Sequence, residues 1–265
     1  MTEPTITTRF STASSTANAA AVDAVTVEII RNGLFAVTEE MKTNLTRTAY
    51  NLIIYEALDF TVGLFTVEGD TVSIGLGLPM FIRGMSETVK SKIRHFGYDN
   101  IGPGDILVTN DAYTTGSHLN HFTFTMPVFH EGELIGFTCC MAHWLDVGGS
   151  LGQITTDIYS EGIQIPVVKY QTAGRVNQDL VDIIAMNVRM PERALGDLRA
   201  QITAVTTGER RFLELVQRFE EQQVGRHHVV RQALAQACLD ALAQLRLALV
   251  AQRHLGVHRH DVAHQ

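Results

Sequence analysis

Three histidines, His118, His121 and His143, are the residues best placed by type and spacing to do chemistry. They occupy two segments, Asn110–His121 (NDAYTTGSHLNH) and Ala142–Gly149 (AHWLDVGG). Between them lie two apolar runs, Phe122–Phe129 (FTFTMPVF) and Leu134–Met141 (LIGFTCCM), around the polar turn His130–Glu133 (HEGE). Apolar, β-branched runs flanking a short Gly-containing loop predict an antiparallel hairpin. A hairpin returns His143 to the neighbourhood of His121, where cross-strand neighbours lie about 5 Å apart. Three converging imidazoles are a donor set for a divalent metal.

The register decides whether they converge. A turn centred on Glu131–Gly132 sets residue 121 opposite 142 and residue 120 opposite 143. Side chains alternate between faces, so His143 would then share the face of Asn120, not of His121. A bulge, or a loop that begins before His121, would bring the three together. The alternative is that they are separate loop histidines, each hydrogen-bonded locally.

Carboxylates flank the same segments. Asp146 follows His143 by three residues, spaced to orient an imidazole or move a proton, or else to cap a loop. Asp111, beside Asn110 at a strand end, is a ligand or base candidate, although Asx residues in turns usually bond local backbone. Asp59, in the LDFT segment, is a third candidate. Gly148-Gly149 would let backbone N–H groups approach an oxyanion, or simply form a turn. Tyr113 is a substrate contact or a packing residue, and Trp144 a packing anchor.

The elements that must hold these residues are legible in outline. Val27, Ile30, Leu34, Val37, Met41 and Leu45 recur at steps of three and four and predict a first helix, with Asp23 as its N-cap. Phe60–Phe65 and Thr71–Ile74 predict a hairpin. Ser86–Phe96 predicts a helix closed by Gly97. Ile106–Thr109 predicts a short strand and Ile163–Lys169 another, with Pro166 as an edge signal. Gln178–Arg189 predicts a helix, and Pro191 opens a long one bearing Leu195, Leu198, Ile202, Val205, Phe212, Val216 and Phe219 on one face. This order predicts an α+β fold, a hairpin-rich mixed sheet packed with long helices.

Composition narrows the function. The 265 residues are 45% hydrophobic, enough for a buried core, and carry a formal charge of -7. The absence of a basic stripe argues against nucleic acid as a partner, and no apolar run approaches the roughly 18 residues of a membrane span. Residues 1–22 are rich in Ser, Thr and Ala and read as a disordered arm rather than a secretory signal. Cys139, Cys140 and Cys238 form no CxxC pattern and predict buried free thiols in a reducing cytoplasm. After Val224 the composition changes. Residues 225–265 hold no Lys, Phe, Tyr or Trp but six of the eleven histidines, and they read as a truncated or frameshifted tail to which no function is assigned. The ordered region is expected to span 23–224.

VTVEIIRNGL, TRTAYN, LDFTVGLF, PGDILVTNDAY, GSHLNHFTFTMPVF, AHWLDVGG, IYSEGIQIPVVK and ERALGDLRAQ occur in order along the chain. In them the sequence resembles the N-terminal part of the hydantoinase B/oxoprolinase family, which also includes the large subunit of acetone carboxylase. The resemblance implies the metal-bearing subunit of an ATP-dependent hydrolase of cyclic amides such as 5-oxoproline or a hydantoin. It also implies a hydantoinase A-like partner subunit that binds ATP. This chain has no GxxxxGK[ST] loop of its own. Alternatives within the resemblance are a subunit of a ketone carboxylase, or a truncated remnant without catalysis. The carboxylase branch implies ligands at His118, position 121 and His143. Many family members have Asp where this chain has His121. The metal implied is zinc, iron or manganese, and an all-histidine set favours zinc, iron or nickel over manganese.

Overall fold

The computed structural model describes residues 24–78, 81–115, 117–150 and 155–222. Asp23, the N-terminal arm, Cys238 and the tail lie outside them. Helix α1 (Ala24–Thr48) buries Ile30, Leu34, Val37, Met41 and Leu45, the stripe that the periodicity marked. It is followed by a single helical turn, α2 (Leu52–Tyr55), capped by the Asn51 side chain, which accepts from Ile53 N at 3.0 Å. The hairpin β1 (Phe60–Phe65) and β2 (Thr71–Leu76) leads to α3 (Ile82–Phe96), β3 (Ile106–Thr109) and the short α4 (Ala112–Thr115). Then come the long hairpin β4 (His121–His130) and β5 (Glu133–His143), β6 (Val168–Thr172), β7 (Arg175–Val176), α5 (Gln178–Asn187) and α6 (Pro191–Gln222).

Among the described residues the strands form one seven-stranded sheet, ordered β2-β1-β5-β4-β3-β6-β7. Every pairing is antiparallel, so the α+β class holds while the sheet is not mixed. Helices cover both faces, which is why β4 is buried along most of its length instead of alternating. On one face α1 and α6 pack over Phe60, Val62, Phe122, Phe124 and Cys140. On the other, α3 packs Met85, Val89 and Ile93 over Phe137, Cys139 and Met141. Gly208 permits the α1–α6 approach: a Cβ there would lie 2.6 Å from Met41 Sδ. Cys139 and Cys140 are buried free thiols, as their pattern implied.

α3 also carries a fully buried lysine. Lys92 Nζ donates to Leu107 O (3.2 Å), Thr123 O (2.8 Å) and Thr125 Oγ1 (2.9 Å), which uses all three of its N–H groups. Burial pulls its pKa down to about 8.

Several boundaries differ from the sequence expectation for identifiable reasons. α3 starts at Ile82 rather than Ser86, whose hydroxyl bonds Gly69 O at 2.8 Å instead of capping the helix. The expected strand Ile163–Lys169 is shifted to Val168–Thr172. Residues 163–165 bond the Asn110 side chain instead, and Pro166 offers no N–H to a ladder. α5 stops at Asn187, and Arg189 beyond it turns to Asp146.

Candidate metal centre

The register of the β4–β5 hairpin builds the site. Glu131 (φ 49°) and Gly132 (φ 82°) form the two-residue turn, and His130 pairs with Glu133. Past Phe129↔Leu134 the register shifts by one, to Val128↔Gly136, leaving Ile135 as the extra residue. The bulge converts the simple pairing of 121 with 142 into His121↔His143. β1 then pairs with β5 in the register Phe60↔Ala142, and His143 N donates to Asp59 O at 3.0 Å. Asp59, His143 and His121 therefore lie side by side at the same end of β1, β5 and β4. By alternation they share the α3 face with Cys139, Met141 and Thr123.

His118, in the turn before β4, completes the group. Ring centroids are 4.5 Å apart for His118–His121, 4.9 Å for His118–His143 and 5.1 Å for His121–His143. Imidazoles bound to one ion at about 2.1 Å would have centroids roughly 4.5–5.2 Å apart. Asp59 Oδ1 lies 3.2 Å from His121 Nε2, close to the roughly 3 Å between neighbouring ligand atoms on such an ion. His143 Nδ1 is buried and has no hydrogen-bond partner among the described residues. As the side chains stand, no three His, Cys, Asp or Glu among the described residues direct donors at one shared point. Hydrogen bonds occupy several of those donors instead. The donor types and the orphaned nitrogen are those a divalent ion would use, but the side chains as they stand do not form a metal site.

The hydrogen bonds around His118 and His121 constrain the protons on these two rings. Asn120 Nδ2 donates to Trp144 O (2.8 Å), so its Oδ1 faces His118 and accepts from Nδ1–H at 3.1 Å. That leaves the His118 Nε2 lone pair available. The Asp59 carboxylate accepts from His121 Nε2–H, and the Ser117 hydroxyl donates to His121 Nδ1 at 2.8 Å. Phe81 covers the His121 ring, centroid to centroid 4.5 Å. Burial pulls the His121 pKa down to about 4 and outweighs the opposing pull of Asp59. Burial likewise lowers His143. Both rings are thus neutral near pH 7, the ligating form of imidazole.

The other carboxylates lie elsewhere. Asp111 caps α4, accepting from Tyr113 N (3.0 Å) and Thr114 Oγ1 (2.7 Å). Tyr113 itself is exposed. Asp146 is buried and accepts from Gly148 N (3.0 Å), from Arg189 N and from the Arg189 guanidinium (2.8 Å). The same guanidinium donates to Gly148 O and Gly149 O, so this glycine pair is bound into a loop clamp. Neither carboxylate bonds an imidazole. Asp146→Asn is therefore expected to cost about 1–3 kcal/mol in denaturant unfolding, through the weakened Arg189 pair, and to leave metal content unchanged. Loss of metal from a stably folded variant would return Asp146 to the centre.

Trp144 anchors the far side, stacked on Phe122 at 4.0 Å and donating to Gln201 Oε1 at 2.7 Å. Supporting residues that the spacing did not mark are Ser117, Asn120, Phe81 and Asn51. Asn51 Nδ2 donates to His143 O at 2.9 Å, and Asn51 N and Tyr50 N donate to Asp197 Oδ1 at 3.2 and 2.8 Å. Asp197 is buried, and burial raises its pKa to about 6. Its folded pKa lies above the unfolded value, so the stability it contributes is fully present below about pH 4 and is lost as pH rises through 6. Asp197→Asn keeps an acceptor for both N–H groups. Relative to wild type it is expected to gain about 2 kcal/mol between pH 4 and pH 7.5, read from urea unfolding. A pH-independent difference would contradict this.

An antiparallel sheet sandwiched by helices, with three histidines and an aspartate gathered at one strand end, defines the class to which comparison assigns a family. The chain belongs to the hydantoinase B/oxoprolinase family, whose profile matches residues 23–254 and so runs past Val224. It is 30% identical over 245 residues to the beta subunit of caprolactamase from Pseudomonas jessenii, covering 91% of this chain and 39% of that one. It is 32% identical over 209 residues to an uncharacterized protein of Methanocaldococcus jannaschii, covering 77% and 37%. The crystal structure of the ATP-dependent caprolactamase from Pseudomonas jessenii superposes with a TM-score of 0.72 at 30% identity, over 80% of this chain and 37% of that one. Acetone carboxylase superposes with a TM-score of 0.67 at 18% identity, covering 80% of this chain and 28% of that one, a likeness of fold alone. The chain thus spans a little over a third of the length of these two relatives. No helix among the described residues is long and apolar enough to cross a membrane.

Proposed function

We propose that this chain carries the metal-binding part of the active site of an ATP-dependent cyclic amide hydrolase of the hydantoin, 5-oxoproline or lactam type. In this reading it works beside a separate hydantoinase A-like subunit that binds ATP. The observation that carries the proposal is the packing of His118, His121 and His143 with Asp59 at one strand end, with His143 Nδ1 buried and unpartnered among the described residues. Membership of the family and the name of its caprolactamase relative support the reaction class.

A zinc, iron or manganese ion held by His118, His121, His143 and Asp59 would supply Lewis-acid polarisation of a carbonyl oxygen. Three nitrogens and one oxygen suit zinc or iron better than manganese. The chain's own residues prepare the rest. Asn120 holds the proton of His118 on Nδ1. Ser117, whose hydroxyl donates or accepts, serves His121 in either tautomer. Without the ion, Asp59 accepts a hydrogen bond from His121 Nε2–H, and that proton would have to leave before this nitrogen could ligate. Phe81 shields His121 from water on one side.

The test is co-purification with the ATP-binding subunit, followed by phosphate release in the presence of 5-oxoproline, a hydantoin or caprolactam. Substrate-dependent release accompanied by ring opening is the expected result. Stimulation only by a ketone with bicarbonate would replace the proposal with the carboxylase reading. No stimulation by any substrate would reduce the chain to a non-catalytic part.

A further inference from the structure

A cavity of about 220 Å³ lies beside the Asn51 turn and the start of α6, walled by Tyr50, Tyr55, Leu145, Met190, Arg193 and Asp197. Asp197 is the buried acid in its lining, 2% exposed. Its Oδ1 accepts two backbone N–H groups, and its Oδ2 has no hydrogen-bond donor among the described residues. No ion pair joins it to Arg193, four residues earlier on α6, although both side chains line the cavity. The acidity of Asp197 tells the same story: burial and two backbone bonds set it, with no contribution from a neighbouring cation. The walls mix polar groups with apolar and aromatic side chains, and the latter are open. Tyr50, Tyr55, Leu145 and Met190 are 60%, 41%, 37% and 39% exposed. Asp146, the other acid in the lining, is already neutralised by Arg189.

A buried carboxylate and a guanidinium without an ion pair among the described residues, both lining one cavity, form a two-point site of opposite charge. A simple cation would satisfy Asp197 but be repelled by Arg193, and a simple anion the reverse. We infer that this cavity binds a zwitterionic amino acid, its ammonium on Asp197, its carboxylate on Arg193 and its carbon chain against Tyr50 and Tyr55. Ammonium over a tyrosine face adds cation–π attraction, and Arg offers the carboxylate a fork of N–H donors.

The inference deepens the proposed function and, for its biological meaning, rests on it. Water opening a cyclic amide breaks the ring C–N bond. Oxygen goes to the carbonyl carbon and hydrogen to nitrogen, giving a free amine and a carboxylate in one molecule. The cavity therefore matches the class of product. Asn51 links it to the histidine cluster, its N–H bonding Asp197 and its amide bonding His143 O.

Binding is tested directly, without activity, by ligand-observed NMR and calorimetry on the full chain with L-glutamate and 6-aminohexanoate. Hexanoate and hexylammonium, each carrying one of the two charges, serve as comparisons. The expected result is that at least one amino acid binds at least tenfold tighter than either single-charge analogue. Asp197→Asn and Arg193→Gln should each lower that affinity at least tenfold. Asp197→Asn retains its backbone bonds and Arg193 is exposed, so both variants fold. Equal binding of the single-charge analogues, no binding of either amino acid, or indifference to both substitutions overturns the inference. Amino-acid binding by a chain that fails the ring-opening assay would leave this pocket standing and remove the proposed reaction.

Discussion

His143→Ala is expected to weaken divalent metal binding at least about 100-fold, beyond the 10–100-fold typical for losing an outer partner of a ligand. His143 is tied to the cluster at several points. Its ring lies within 5.1 Å of both other imidazoles, its backbone N–H bonds Asp59 O, and its buried Nδ1 lacks a partner among the described residues. Removing the ring leaves the fold intact, because strand pairing there uses backbone groups. Equilibrium dialysis against zinc, with circular dichroism as the fold control, reads both. Stoichiometric metal at unchanged affinity in the folded variant would remove His143 from the ligand set. Asp59→Asn is the companion variant. It is expected to weaken binding less than His143→Ala, since an amide oxygen still reaches the same place but carries no charge.

The second large effect concerns a residue that holds the site without belonging to it. Asn110 is fully buried where β3 ends. Its Nδ2 donates to Leu119 O and Ile163 O, both at 2.8 Å, and its Oδ1 accepts from Ile165 N at 2.6 Å. One side chain thus ties the loop bearing His118 to the segment after the Asp146 clamp. Asn110→Ala strands two carbonyls and one N–H in the interior, each costing about 1–3 kcal/mol. A total near 3–5 kcal/mol is expected, a fall in Tm of about 10 °C or more for a domain of this size. Metal affinity should fall with it, as His118 loses its anchor. Asn110→Asp restores only the acceptor and sets a carboxylate against two carbonyls, so it should not rescue. A Tm within about 2 °C of wild type would show that water replaces these bonds.

How much of this was legible in the sequence follows from the range of each interaction. The α1 stripe from Ile30 to Leu45, the Glu131–Gly132 turn and Pro191 opening α6 are local signals, and each was readable. The convergence of His121 with His143 depended on one residue of register. The bulge at Ile135 lies where Gly136 passes under β1: a Cβ on Gly136 would meet Phe65 O at 2.5 Å. That constraint comes from a strand about 70 residues away, and no hairpin rule within β4 and β5 contains it. Asp59 has the same history. It reaches His121, 62 residues further along the chain, only because β1 pairs with β5. Asp146 shows the converse: its spacing after His143 suggested an imidazole partner, but the chain returns Arg189 to it from 43 residues on. Supporting polar residues such as Asn51 and Asn120 carry no distinctive spacing, since one amide side chain reads like another until its partners are placed.

The central claim is that three imidazoles and a carboxylate at the end of β1, β5 and β4 bind one divalent ion. X-ray absorption at the metal edge, on the zinc-loaded chain with stoichiometry measured in parallel, tests it most directly. The account predicts about one ion per chain, with nitrogen and oxygen neighbours at about 2.0–2.1 Å and the outer-shell scattering of three imidazoles. Sulfur neighbours at about 2.3 Å would place the metal on the cysteines instead. No bound metal at all would leave the histidine cluster as a hydrogen-bonded part of the fold and contradict the account.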